Sequence, residues 1–165
     1  GAEPLAQEYI RHDEGEFTIG VLSWPDQTIA GSVALQRHFG AKLSVQMIGR
    51  GAVVSSGYSQ GYIADFLNLR KQAEEIAKNI GSTGPINVQG RVRDGVLIPF
   101  EINARFSAST YLRAMAGVNE LDYYLQHLVS GKKDVDYTVK EGWYLRTLAE
   151  NYISKAEQDK KWSVG

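Results

Sequence analysis

Between Ile86 and Asn103 the chain alternates apolar and polar residues on either side of Asp94-Gly95. No other feature constrains the fold as strongly. Period-two alternation around an Asp-Gly dipeptide marks a β-hairpin with one buried face. Register then decides which side chains meet. A three-residue loop, Arg93-Asp94-Gly95 with Gly95 left-handed, pairs Val92 with Val96. Ile86, Val88 and Val92 then share a face with Ile98, Phe100 and Ile102, while Asn87, Gln89 and Arg91 share the other with Glu101 and Asn103. A two-residue loop would move the register by one, split the apolar residues between faces and take Gln89 away from Glu101. The single buried face favours the three-residue loop.

On this register Gln89, Glu101 and Asn103 bring three oxygen-bearing side chains to one face, with Arg105 two residues further on. Mg²⁺ is a hard cation that takes oxygen ligands, usually one or two carboxylates together with substrate phosphates and water. One carboxylate and two amides suit a metal whose charge is balanced mainly by phosphate. They carry too little negative charge for a free Ca²⁺ site. With no Cys and no His pair at ligand spacing, structural zinc is disfavoured. The same alternation also describes an ordinary exposed face of an antiparallel sheet, so the pattern alone leaves both readings open.

Gln89 followed by Phe-Glu-Ile-Asn-Ala-Arg-Phe-Ser at 100–107 resembles the metal and phosphate segment of the ATP-grasp superfamily, most closely the ATP-binding domains of carbamoyl-phosphate synthetase large chains and their smaller relatives. That segment usually reads Glu-x-Asn-Pro-Arg; here Ala104 stands in place of the Pro, and Ala108 in place of a common Gly. A second segment, Gln7-Glu8-Tyr9-Ile10, then a polar turn, then Glu16 to Leu22, resembles the family's hinge and the strand after it. The resemblance runs from about Gln7 to Gly131. It implies an α+β fold, the C-terminal lobe of an ATP-grasp domain, with a mainly antiparallel sheet and helices packed on one face. It implies ATP and Mg²⁺ (or Mn²⁺) as cofactors. Gln89, Glu101 and Asn103 would hold the metal and Arg105 would steady the transferring phosphoryl group. The Glu8–Tyr9–Ile10 hinge, through the Glu8 carbonyl and Ile10 amide, would hold the adenine edge, and Glu16 the ribose hydroxyls. The implied activity joins a small-molecule carboxylate or bicarbonate to an amine or similar nucleophile through an acyl-phosphate. A non-catalytic nucleotide-binding module and a purely structural domain are the competing expectations.

In this family a smaller lobe carrying a glycine-rich phosphate loop precedes the hinge. Here the chain starts near the hinge with Gly1-Ala2 and no Met, so the expectation is a fragment whose N-terminal lobe belongs to the same polypeptide. Its 165 residues fit one domain, 1–165, able to bury a sizeable core. A net charge of -1 offers no electrostatic case for nucleic acid or an acidic membrane, and no apolar run approaches transmembrane length. The absence of Cys excludes a disulfide framework and fits a reducing cytoplasm.

Elsewhere the chain reads as strands at 5–10, 16–24, 28–35 and 41–48. The Gly- and Ser-rich stretch 49–61 has no Lys and no Gly-x-x-x-x-Gly-Lys-Ser/Thr, so it reads as a flexible loop over the site rather than a phosphate cradle. Phe66 to Ile80 has the stripe of an amphipathic helix, capped by Asp65 and ended by Gly81, with Arg70, Lys71, Glu74 and Glu75 as its solvated face. Thr110 to Ala116 looks helical. Asn119 caps a further helix that turns Leu121, Tyr124, Leu125, Leu128 and Val129 inward and ends at Gly131. Trp143 to Leu148 alternates weakly, as a strand returning to the sheet would; Ser154 to Lys161 reads as a polar tail. His12, His38 and His127 are scattered and read as surface or packing residues; His38, beside Arg37, is the one that could line an acceptor cleft, but no carboxylate is adjacent in sequence to orient it.

Overall fold

The structure, a computed structural model, describes residues 6–11, 13–39, 45–48, 52–55 and 59–146. In chain order the elements are β1 (Glu16–Ser23), β2 (Ile29–Arg37), β3 (Val45–Ile48), β4 (Ala52–Ser55), β5 (Gly61–Ala64), α1 (Leu67–Asn79), β6 (Pro85–Arg93), β7 (Val96–Asn103), α2 (Thr110–Met115), α3 (Glu120–Ser130) and β8 (Gly142–Tyr144). Six strands form one antiparallel sheet in the order β7-β6-β1-β2-β5-β8, and β3 and β4 pair separately. The stretch read as a flexible loop therefore contains a strand, β4, and ends at the start of β5. The expected strand at 5–10 is not formed: residues 6–11 join no ladder. The tail from 147 onward and His12 lie outside the described residues.

The central strand β1 is buried at every position, because both faces of the sheet are covered there. On one face Phe17, Ile19, Val21, Ile86, Val88, Val92 and Leu97 pack under Leu69, Ala73 and Ala77 of α1. This sheet with a helix on one face is the expected α+β arrangement. On the opposite face Val33, Leu35 and Ile63 meet Leu112 and Ala116 of α2, with Val118, Tyr137 and Tyr144 alongside. That second cover reaches β6 at Asn87 but leaves the Gln89–Glu101 row open, where Gln89 and the neighbouring Asn103 are half-buried and Glu101 is exposed.

The β6–β7 hairpin corrects the expected loop. Arg93 pairs with Val96, so the turn is two residues long, and Asp94 and Gly95 both have positive φ (53° and 72°). This is the mirror-image turn whose twist matches that of the flanking strands. The exchange of faces this should cause is reversed by a β-bulge. Gly90 pairs with Pro99 and Gln89 with Glu101, leaving Phe100 as the extra residue. Gly90 makes room for the bulge: a Cβ there would stand 2.8 Å from the Ile98 carbonyl oxygen. Pro99 brings no N–H to the ladder at that point. Between turn and bulge the apolar residues do divide, Leu97 lying opposite Val92 and Ile98 opposite Arg91.

The helices depart from expectation where long-range contacts intervene. Asp65 does not cap α1; it pairs with Arg70 at 2.5 Å. Glu74, read as solvated, is buried and accepts from the Ser32 hydroxyl at 2.7 Å. Asn119 caps α3 as expected, accepting from the Asp122 amide, and Gly131 ends it with φ 73°. Its buried side differs, though. Leu121, Leu125, Leu128 and Val129 are exposed. The inward residues are Glu120, Tyr123 packed on Tyr137, His127 against Trp24, and, as expected, Tyr124, half-buried against Phe106. An ion pair made by Glu120 sets the helix rotation, overriding the apolar stripe.

Candidate functional site

Cross-strand pairing lines up three rows of side chains on the sheet face opposite α1. Glu16 of β1 lies beside Arg91 of β6; Thr18 beside Gln89, which neighbours Glu101; Gly20 beside Asn87, which neighbours Asn103. Residues opposite one another share a face, so the polar alternation of the hairpin becomes one polar surface.

At its open edge, Glu101 gathers the expected metal ligands. Gln89 Nε2 donates to Glu101 Oε2 at 3.0 Å, and Asn103 Nδ2 donates to Glu101 Oε1 at 2.8 Å. Each terminal amide carries an acceptor beside its donor, so the trio presents one carboxylate and two amide oxygens to a cation. Among the described residues no group of three or more His, Cys, Asp or Glu could hold a metal. A cation on this face would therefore draw much of its coordination from ligand oxygens and water, which fits Mg²⁺ in company with phosphates. Arg105 follows after a tight turn in which its amide donates to the Asn103 carbonyl. Its guanidinium is exposed and donates to the Phe106 carbonyl at 3.0 Å.

Glu16 has a different place from the one expected of a ribose ligand. It is fully buried, and its two carboxylate oxygens are held by Arg37 and Arg91, each at 2.9 Å. With its oxygens facing arginines rather than the surface, it anchors the neighbouring guanidinium groups. Burial lowers the pKa of Arg37 from its ordinary value, and the Glu16 charge opposes the shift.

The 8–10 segment crosses close to this cluster. Arg91 Nη1 donates to the Ile10 carbonyl at 2.5 Å, and its guanidinium lies 4.9 Å from the centroid of the Tyr9 ring. Glu8 pairs at the surface with Arg93, at 2.9 Å. The carboxylate of Glu14 accepts from the amides of Asp94 and Gly95, tying the same region to the hairpin turn.

A second buried cluster closes the other end of the face. Arg113 of α2 pairs with Glu120 of α3 at 3.1 Å and donates to Asn87 Oδ1 at 2.7 Å; the Thr18 hydroxyl donates to the same Asn87 oxygen at 2.8 Å. Gly20 leaves space for this arginine, since a Cβ there would stand 2.0 Å from Arg113 Nη1.

Sequence reasoning placed Asn87 and Arg91 on the site's face but assigned them no role. It noted Arg37 only as the neighbour of His38, without its Glu16 partner, and missed Arg113 and Glu120 altogether. The alternation of β6 was the signal for the first two; the other three carried no local signal.

A family model described as "ATP-grasp in the biosynthetic pathway with Ter operon" matches residues 5–150, which span the 8–10 segment, the sheet and the Glu101 cluster. The chain belongs to the ATP-grasp superfamily. No curated protein matches it. Nucleotide and Mg²⁺ binding is expected of members of this superfamily. The match does not single out the carbamoyl-phosphate synthetase branch. No helix among the described residues is long and apolar enough to cross a membrane.

Proposed function

We propose that this chain supplies the ATP- and Mg²⁺-binding half of a ligase site that activates a small-molecule carboxylate or bicarbonate as its acyl-phosphate, for attack by an amine or similar nucleophile. The observation that carries the proposal is the convergence of Gln89 and Asn103 on Glu101 at an open sheet face, in a chain of this superfamily. The other half of the site would come from an N-terminal lobe of the same polypeptide. The family's description supports a place in small-molecule biosynthesis.

In this reading Glu101, Asn103 and Gln89 hold the cation against the nucleotide phosphates. When bound, Mg²⁺ neutralises charge that develops on the transferring phosphoryl group. Arg105, a mobile-stemmed guanidinium at the end of β7, adds a second positive group where that charge gathers. The backbone at Glu8 and Ile10 meets the adenine edge. Glu16 contributes indirectly, by orienting Arg91 behind that backbone.

Calorimetric titration of ADP with Mg²⁺ into the full-length protein tests this. Metal-dependent heat in the parent, abolished in Glu101→Ala, is the expected result. Turnover in the variant should fall by about 10²-fold or more, roughly 3 kcal/mol of transition-state stabilisation. Binding without turnover for any acceptor would point to a nucleotide-binding module. Identical metal dependence in parent and Glu101→Ala would refute the assigned site.

A further inference from the structure

Residues 6–11 have no strand partner, and most are exposed. Side-chain ties from β6 reach this segment at Glu8, Tyr9 and Ile10. Arg93 reaches Glu8, but both side chains are more than half exposed, and exposed pairs of this kind hold weakly. Arg91 differs in two ways. Its own side chain is 8% exposed, and it is fixed from behind: its Nε donates to Glu16, whose other oxygen is taken by Arg37. The Arg37–Glu16–Arg91 relay thus turns one Arg91 nitrogen forward onto the Ile10 carbonyl and sets the guanidinium against the Tyr9 ring. These two contacts bracket the Tyr9–Ile10 peptide, the unit that carries the Ile10 amide.

We propose that Arg91 is the positioning residue of the nucleotide site: it holds the 8–10 segment in the conformation that accepts the base, and so sets nucleotide affinity without touching the nucleotide. The inference rests on the reading above, in which this backbone meets adenine. A segment that samples several conformers binds with an affinity reduced by the fraction that is competent. Loss of a desolvated, charge-assisted hydrogen bond together with a cation–ring contact should leave only a minor competent fraction, weakening ADP by about tenfold.

The test compares Arg91→Lys, Arg91→Met and Arg93→Ala in the full-length protein. ADP affinity with Mg²⁺ is measured by calorimetry, and backbone hydrogen exchange without nucleotide by mass spectrometry. Arg91→Lys keeps a cation beside Glu16, so the fold survives even where Arg91→Met fails to fold, but one ammonium cannot serve Glu16, Ile10 and Tyr9 together. We expect about tenfold weaker ADP binding that remains metal-dependent, faster exchange at residues 8–11 with β1 unchanged, and less than a twofold effect from Arg93→Ala. Where turnover is measured, KM for ATP should rise while kcat stays nearly constant. Parental ADP affinity in Arg91→Lys overturns the inference while leaving the proposed function intact. Faster exchange spread through β1 and β6 overturns it too, since the residue would then be only a brace for the sheet. Absence of ADP binding in the parent instead removes the reading on which it rests.

Discussion

Two buried arginine clusters sit at opposite ends of one sheet face, and they are built differently. At the 8–10 end, two guanidinium groups share one carboxylate, Arg37 and Arg91 on Glu16. At the α2–α3 end, one guanidinium faces one carboxylate, Arg113 on Glu120, with the neutral acceptor Asn87 completing it. The first cluster carries a surplus positive charge, and one of its members spends a donor on a backbone carbonyl outside the sheet. The second is charge-balanced and joins three elements of the core to one another. Its Arg113 Nε is buried without a hydrogen-bond partner among the described residues. Similar residues thus do two jobs: one cluster projects a fixed charge toward an exposed segment, the other fastens helices to the sheet. Gln89 and Glu101 lie in the row between Arg91 and Asn87, and Asn103 shares the row of Asn87.

The contrast can be broken most forcefully at Glu16. Glu16→Gln leaves two buried guanidinium groups facing a neutral amide, and removing one partner of a buried pair costs about 3–5 kcal/mol. Urea denaturation should show a loss of that size, with hydrogen exchange rising at 8–11 as well as in β1. A loss below about 1 kcal/mol would mean that the cluster is more hydrated, and less demanding, than its burial indicates.

Arg113→Met should cost somewhat less, about 2–4 kcal/mol, because Thr18 and Asn87 retain their mutual hydrogen bond while Glu120 loses its cation. The informative readout is location. Exchange should rise in α2 and α3 and stay constant at 8–11. Faster exchange at 8–11 would show that the two clusters act as one and would erase the distinction between them.

The smallest effect sharpens the comparison by contrast with an exposed pair. Asp26 is held below the ordinary carboxylate range by the Lys133 ammonium first, then by the hydroxyl and amide of Thr28. A lowered pKa in the folded state means that the contribution is present above the unfolded value, near 4, and is lost as pH falls through the folded value. Carboxyl NMR titration should therefore show Asp26 still ionised after ordinary aspartates have protonated, and Asp26→Asn should flatten that part of the acid limb. Both groups being exposed, stability above about pH 5 should barely change.

The hairpin shows how a sequence reading can reach the right neighbours by the wrong route. Gln89 does face Glu101, as the alternation requires. The expected three-residue loop does not produce that register; a two-residue turn combined with a bulge at Phe100 does. Either device puts Gln89 and Glu101 on one face, but the three-residue loop would set Gln89 directly opposite Pro99 rather than Glu101. What decides between them is the close passage of the Ile98 carbonyl over Gly90, a contact between strands. The α3 error has the same origin. Its cap at Asn119 and its end at Gly131 were legible because both are local. Its rotation was not, because Glu120 is drawn in by Arg113, Thr18 and Asn87 lie beneath it, and the apolar stripe is left at the surface.

Taken alone, the sequence determined the two strands of the β6–β7 hairpin, the residue types at the Glu101 trio and membership of the superfamily, since alternation, turn dipeptides and short motifs act over a few neighbouring residues. Tertiary structure decided what Glu16 does. An acid at the start of an alternating strand looks solvent-facing until its partners are known, and those partners lie 21 and 75 residues away. Burial of a charge depends on the opposite charges that the fold brings to it, and here two arginines from different strands turn an apparent ligand into the anchor of another residue.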